Sequence, residues 1–412
     1  MNDKRLMLRL FLPLYASQYL GIGFLFTALM AISRERGQDL ENIGVIFLLG
    51  MVWTLKFLWA PLVDRFGSRK RGHYRSWIML TQPAVALGIA AVAPFDVIDH
   101  LGLILLLLTF VAIMSATQDV ATDALAVRNL RGGSRGNING VQVGAGFIGD
   151  IVGGAAVLVL YDLFGWVPAI LTLAVLSAVP VYFVRRFREE ETTAPQRVRR
   201  QSAIALFRQP GVKRWALVIT PLLSIGLPGA YSLLVPMLVD GGVSVGLVGL
   251  LTNGLGGVIG IAAALVAGSL VNRLGRRRSL VIYGLLQVVA VAATIPLATT
   301  GGLGAAILAV VLINIANCAL FVIMYTVNMD LARPGNAGSD FTVQVSISFG
   351  MRYLVGGLLF GVADSAGYAP ALLVCLGAAV VGVTVAALLF RDPTRHASVT
   401  ELPVAAPTEQ AA

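Results

Sequence analysis

Charge is scarce in this sequence of 412 residues: 13% are Asp, Glu, Lys or Arg, against about 25% in an ordinary soluble domain. That supply covers roughly half the water-facing surface a globular domain needs, which excludes a soluble enzyme and a disordered chain. Cysteine is rarer still. Cys318 and Cys375 are the only two, far apart inside apolar runs and without metal-type spacing. A disulfide-stapled secreted domain is therefore excluded, and both read as small buried hydrophobes. The three histidines, His73, His100 and His396, are scattered over loops and tail. They give no metal-ligand pattern, though His100 is a candidate proton acceptor on the outer face. No phosphate-cradling G-x-x-x-x-G-K-[ST] loop occurs, so ATP is not expected to drive the protein, and neither catalysis nor a cofactor is expected.

What the sequence has instead is apolar length. Hydrophobic residues make up 57% of it, 45 residues are glycine, and the mean hydropathy is +0.82. Apolar runs fall at 6–32, 41–63, 74–95, 101–127, 138–160, 165–184, 213–239, 244–271, 279–299, 302–328, 341–363 and 367–390. Each is long enough to cross a hydrocarbon layer of about 30 Å as a helix. The first is too long for a signal-peptide core and no cleavage site follows it, so it reads as an uncleaved span. The net charge of +10 lies in the tails and in every second loop; among the 31 Lys and Arg only Arg34 and Arg36 fall in an odd-numbered loop, and Lys56 and Arg352 fall inside runs. This is the positive-inside pattern: an even number of spans with both termini in the cytoplasm. No aromatic residues interleave with the basic ones, so nucleic acid is not an expected partner. The chain is expected to be an all-α membrane protein and a monomer in the bacterial inner membrane. Its expected parts are a six-helix bundle over 1–184, a cytoplasmic linker over 185–212, a second bundle over 213–390 and a tail over 391–412. The basic linker can hold a surface-lying amphipathic helix at anionic headgroups.

The two halves repeat each other. PLVDRFGSRKR (Pro61 to Arg71) follows the second run and SLVNRLGRRR (Ser269 to Arg278) follows the eighth. Asp64 matches Asn272, Arg65 matches Arg273 and Gly67 matches Gly275. Thr122–Ala126 has its counterpart in Met329–Ala332, and Val141–Val143 in Val343–Val345. An internal duplication of six spans places a ligand site at mid-membrane between the halves. Within the loop, glycine suits a short turn, Arg71 and its basic neighbours hold the headgroups, and Asp64 can pair with an arginine or cap a helix.

The duplicated D-R-x-G-x-R-K-R loop resembles the signature of the major facilitator superfamily, whose fold has twelve helices in two pseudo-symmetric bundles. Lys56–Asp64 (KFLWAPLVD) and Ser115–Ala124 (SATQDVATDA) resemble the branch with the AmpG muropeptide permeases, the acetyl-CoA-transporter-like proteins and the RhtX/FptX siderophore importers. AmpG-type proteins usually carry extra spans toward the C-terminus. A chain of twelve spans with a short tail is more similar to the RhtX/FptX group. That resemblance implies proton-coupled import of a siderophore or its iron complex by alternating access, iron entering as part of the cargo. Two other readings stay open: an AmpG-like importer of cell-wall sugar-peptides, and a non-transporting assembly factor for pigment complexes. A scaffold has no need of buried titratable groups, and a cavity packed shut with apolar side chains would favour it.

Ionisable side chains inside spans cost several kcal/mol unless paired or wetted, so they are the first candidates for function. Asp119 and Asp123 lie one helical turn apart on one face of the fourth span, with Gln118 and Thr122 extending the stripe. Two stacked carboxylates in low dielectric suit proton coupling; alternatively one pairs with Lys56 and locks the cytoplasmic side, a role that falls more naturally to Asp123. Asp150 and Arg352 occupy equivalent positions of the repeat, each about 18 Å of helix from the cytoplasmic end of its span. Arg352 is the candidate for an anionic group of the cargo, and Asp150 for a proton or gating network; packing against neighbouring helices is the alternative for both. Polar and aromatic residues at helical spacing complete an amphipathic cavity: Tyr15, Gln18 and Tyr19 in the first span, Tyr231 behind Pro221, Ser224 and Pro228 in the seventh, and Asn314, Asn317, Phe321, Tyr325 and Asn328 in the tenth. Two glycine motifs fail as phosphate loops. Gly144–Gly149 and Asn253–Gly260 sit mid-span with no preceding strand, and close helix packing explains them.

Overall fold

The computed structural model describes residues 3–36, 49–68, 70–97, 99–130, 134–189, 203–243 and 245–393. The middle of the linker, the C-terminal tail from 394 with His396, and the first part of the 41–63 run lie outside the described residues. Eleven helices among the described residues are long and apolar enough to span a membrane. In chain order the helices are α1 (Met7–Ser33), a shorter interrupted α2 (51–65), α3 (His73–Val92), α4 (Leu101–Asn129), α5 (Arg135–Phe164), α6 (Trp166–Arg186), α7 (Val212–Asp240), α8 (Leu247–Leu274), α9 (Arg276–Thr299), α10 (Leu303–Leu331), α11 (Ala337–Ala366) and α12 (Tyr368–Leu389). The fold is all-helical, and α2 stands where the second span is expected. It is broken into Met51–Leu55, a tight turn Lys56–Leu58 and Ala60–Arg65. Pro61 opens the last piece; it donates no N–H and restricts Ala60 before it, so the helix restarts there.

Backbone details repeat at the same places in both halves. α1 opens with a widened turn at Met7–Phe11 and α7 with one at Trp215–Ile219. One residue joins α5 to α6 and one joins α11 to α12: Gly165 at φ 82° and Gly367 at φ 89°. Only glycine adopts that conformation freely, so a single glycine turns the chain back in each half. The basic loops differ. In the second copy Gly275 has φ 80° immediately before α9, but in the first copy the left-handed residue is Gly72, at φ 89° immediately before α3. Gly67, expected to make the turn, is needed for space: a Cβ there would lie 2.5 Å from Nδ1 of His73.

α5 packs against α1 within its own half and against α8 across the pseudo-twofold, while α11 meets α2 and α4. The α5–α8 seam is glycine-lined. A Cβ on Gly268 would lie 2.5 Å from the carbonyl oxygen of Gly136, and one on Gly140 would lie 2.6 Å from that of Ala264. Farther along, Phe147 fills the space over Gly260 and Ile151 that over Gly257. Gly146 and Gly149 receive Tyr19 and Ala16 of α1. Both mid-span glycine motifs are therefore packing surfaces.

Candidate functional site

The end of the bundle carrying the Arg- and Lys-rich loops is closed by contacts between the halves. Asp64, at the end of α2, accepts hydrogen bonds from the backbone N–H groups of Gly338 (3.1 Å) and Ser339 (2.7 Å) and from the Ser339 hydroxyl (2.6 Å). It thus caps α11 of the opposite half, satisfying N–H groups that have no partner within the helix. Tyr74 donates to the same carboxylate at 2.7 Å. The repeat supplies a second cap: Asn272, the counterpart of Asp64, accepts from the N–H of Gly136 at 3.0 Å. Asp330 adds an ionic link, accepting from Arg135 of the first half at 2.9 Å and from Arg276 of the second at 2.8 Å. Beneath these, one apolar cluster joins Leu10, Tyr15 and Val120 of the first half to Tyr325, Met329 and Phe341 of the second.

Arg135, Arg276 and Asp330 were not singled out by the sequence reading. The signal was present, since Asp330 is the repeat partner of Asp123. Arg65 and Arg273, chosen from the motif, are exposed. The Arg65 guanidinium stacks 5.3 Å from the Phe66 ring, and Arg71 offers its carbonyl to Arg75 Nη1 at 2.9 Å.

Deeper in the first half lies the buried charge cluster. The Lys56 ammonium is in direct contact with the Asp119 carboxylate, both side chains being less than a tenth exposed. Asp123 is held otherwise: Tyr15 Oη and Gln142 Nε2 each donate to its Oδ1 at 3.0 Å. Lys56 thus pairs with Asp119, whereas the sequence favoured Asp123 as the structural partner. Depth explains the choice. Lys56 is about 13 Å of helix above the end of α2 at Arg65, and Asp119 about 15 Å above the end of α4, but Asp123 only about 9 Å. The break in α2 is fastened beside the pair by Trp59, whose Nε1 donates to Thr117 Oγ1 at 3.0 Å. Gln18 on α1 and Gln118 on α4 are buried, and their Nε2 atoms find no protein acceptor among the described residues.

Asp150 and Arg352 lie at matching positions, but α5 and α11 begin earlier than the apolar runs suggest. Each residue is fifteen positions from its helix start, about 22 Å from the basic end rather than 18 Å. Arg352 Nη1 donates to Asn317 Oδ1 at 3.2 Å, and its guanidinium lies 4.5 Å from the Phe321 ring centre, within cation–π range. Phe321 in turn packs with Tyr325 (5.5 Å) and Phe349 (6.1 Å). A cavity of about 10 Å³ opens beside Arg352, lined in part by Ser224, Asn317 and Ser348, with room for about one water. The Tyr19 ring packs on α5 over Gly146, where a Cβ would lie 3.1 Å from its Cζ. Tyr231, on α7, is 36% exposed. Asn314 is turned back on its own helix, donating to the Val310 carbonyl at 2.9 Å, with its amide against Gly256. Asn328 accepts from Trp215 Nε1 at 2.7 Å and ties α10 to α7, a structural role. His100 precedes α4, its ring 5.6 Å from that of Phe95. Among the described residues no three His, Cys, Asp or Glu side chains gather as a metal site requires.

Two pseudo-symmetric bundles of apolar helices, joined at one end by caps and ion pairs and carrying charges buried within them, have the architecture of a secondary membrane carrier. A sequence profile of the Major Facilitator Superfamily matches residues 11–347, and the chain belongs to that family. It is 32% identical over 256 residues to the anhydromuropeptide permease of Escherichia coli K12, a match covering 60% of this chain and 52% of the permease. It is 26% identical over 172 residues to the putative transporter AmpG 4 of Rickettsia conorii, covering 40% and 42%. The chain thus spans about half the length of the curated relatives it matches. Among solved structures, the human organic anion transporter MFSD10 (TETRAN) superposes with a TM-score of 0.73 at 16% identity, covering 94% of this chain and 100% of that one. The E. coli fucose:proton symporter FucP gives 0.69 at 17%, covering 95% and 99%. These two likenesses concern the fold.

Proposed function

We propose that this protein imports an anionic sugar-peptide of the cell-wall type into the cytoplasm, with proton binding at Asp119, Asp123 and Asp150 coupled to alternating access. The observation that carries the reading is Arg352. It is an intramembrane guanidinium held by the neutral Asn317 and an aromatic face and by no carboxylate among the described residues, which leaves its fork for a carboxylate of the cargo. The 32% identity with an anhydromuropeptide permease supports a peptide-bearing sugar as that cargo. On this reading the basic loops face the cytoplasm of a bacterial inner membrane, both termini lie there, and the contacts at that end hold the carrier closed toward the cytoplasm. The protein works as a monomer and needs no cofactor. Its buried polar groups, Gln18 and Gln118 among them, suit a cavity that wets in turn from either side; a pigment-assembly scaffold would not need them.

One observation favours the siderophore reading: the Phe321–Tyr325–Phe349 rings beside Arg352 offer aromatic surface of the kind a ferric catecholate or similar chelate would use. Uptake by a deletion strain separates the two. Radiolabelled anhydromuropeptide should accumulate only when the protein is restored, and ferric siderophore uptake should be unchanged; the reverse result would establish the siderophore reading. Arg352→Lys should weaken apparent cargo affinity by at least tenfold, since an ammonium cannot form the two parallel bonds of a guanidinium. Wild-type affinity in that variant would sink the carboxylate assignment. Asp119→Asn should abolish uptake driven by a proton gradient.

A further inference from the structure

A second cavity lies far from the charge cluster, at the basic end where the linker enters α7. It measures about 450 Å³ and is lined by Phe207, Arg208, Gln209, Gly211, Lys213 and Arg214. Among the described residues its lining carries three cations and no carboxylate. The local chain explains why it stays open. A short turn of helix, Ala203–Arg208, is pinned to the core of the second half by Leu206, and Val212 and Trp215 bury themselves in the same cluster. Gly211, at φ 83°, reverses the chain between these anchors, which turns Arg208 and Lys213 outward to the exterior. Arg214 is fixed at the rim, its Nη1 donating to the Leu389 carbonyl at the end of α12 at 3.3 Å.

The surroundings of the cavity bear on what it could hold. One helical turn deeper on α7, below Lys213 and Arg214, stand Leu217 and Val218, 55% and 38% exposed. Leu388 and Leu389 of α12 are exposed beside them. Exposed apolar side chains on two spanning helices are placed to face hydrocarbon, and Lys213 and Arg214 stand one turn beyond them, a level that suits headgroups. A soluble anion would meet the charges alone. A phospholipid meets both surfaces at once: its phosphate among the cations, and its acyl chains along the leucine face.

We propose that this cavity binds the phosphodiester headgroup of an anionic phospholipid such as phosphatidylglycerol. Arg208, Lys213 and Arg214 hold the phosphate oxygens, and the acyl chains run over Leu217 and Val218. The guanidinium and ammonium donors select the anionic headgroup over a zwitterionic one, whose own cation they repel. The site does not depend on which cargo the carrier moves.

Native mass spectrometry of the full chain, released from nanodiscs of equal phosphatidylglycerol and phosphatidylcholine, tests this. The wild-type protein should retain phosphatidylglycerol over phosphatidylcholine by at least fivefold. Arg208→Gln/Lys213→Gln should bring the ratio to within twofold of unity, and so should Lys213→Glu alone, which keeps Arg208 and the tie from Arg214 to Leu389. Equal retention ratios in wild type and variants would overturn the site. Glycerol 3-phosphate and inorganic phosphate, added at millimolar concentration, should leave the bound lipid in place. If either displaced it, the cavity would be a soluble-phosphate site and the lipid assignment would fall.

Discussion

The contact between Lys56 and Asp119 is the most consequential single pair in the molecule. Both charges are buried at one depth, so each is tolerable only while the other is present. Removing one partner should therefore cost more than removing both. Lys56→Met should destabilise the fold by about 3–5 kcal/mol, and Lys56→Met/Asp119→Leu should recover most of that loss. Thermal unfolding of the purified variants is the measurement; a double variant no more stable than Lys56→Met would show that the pair carries little of its own weight. Transport should be absent from the double variant, which has no carboxylate left at position 119 to take up a proton. The five intramembrane charges were legible in the sequence because an ion in hydrocarbon is so costly that its presence demands a reason. Their partners were not. Which aspartate meets Lys56 depends on a few ångströms of depth, and the ends of apolar runs fix depth only to within about a turn of helix.

At the level of elements, the closed end is made twice by the same device. A side chain ending one helix of a half caps the first turn of a helix in the other: Asp64 on α11, and Asn272 on α5. The sequence repeat showed that the two positions correspond, and glycine and charge made them visible. Which helix each would cap was hidden, since the contacts lie 274 and 136 residues apart in the chain. The turn glycine was also misplaced: sequence alignment matched Gly67 with Gly275, yet the strained backbone of the first copy is at Gly72. The joints at Gly165 and Gly367 could have been read from the repeat, as each glycine stands between two apolar runs at equivalent positions. Asp64→Ala removes a charged cap and should weaken the closed state by about 1–2 kcal/mol, shifting the equilibrium toward cytoplasmic opening by about five- to thirtyfold. Asp64→Asn, which can still accept a hydrogen bond as Asn272 does, should shift it much less. Alkylation of a cysteine placed at Ser346, a buried position on α11, reads the shift. Equal alkylation rates in Asp64→Ala and its parent would show that the cap does not hold the end shut.

For the whole molecule, the distribution of apolar contact decides which movements are available. The cluster at the basic end contains residues of both halves, but the cluster toward the other end, from Leu20 and Phe24 through Val111 to Leu173, belongs to the first half alone. The halves are therefore welded by core-like packing at one end and not by that cluster at the other. Opening the basic end must break the Asp64 and Asn272 caps, the Asp330 ion pairs and the shared cluster together, so the change is cooperative rather than gradual. The glycine seam between α5 and α8 gives the surface on which the bundles can rock, because backbone slides on backbone without side chains to unlock. It follows that a link across the closed end should stop transport without disturbing the cargo site. Asp64→Cys/Ser339→Cys places two thiols where a carboxylate and a hydroxyl now touch at 2.6 Å. The native Cys318 and Cys375 are buried and should react slowly by comparison. A short bifunctional thiol reagent should abolish uptake in the double variant and spare each single variant. Binding of cargo from the outer side should persist in the linked protein, since Arg352 is thirteen residues farther along α11, about 20 Å from the link. Uptake that continued after complete cross-linking would mean that the carrier does not need to open at this end, and alternating access through the basic face would have to be abandoned.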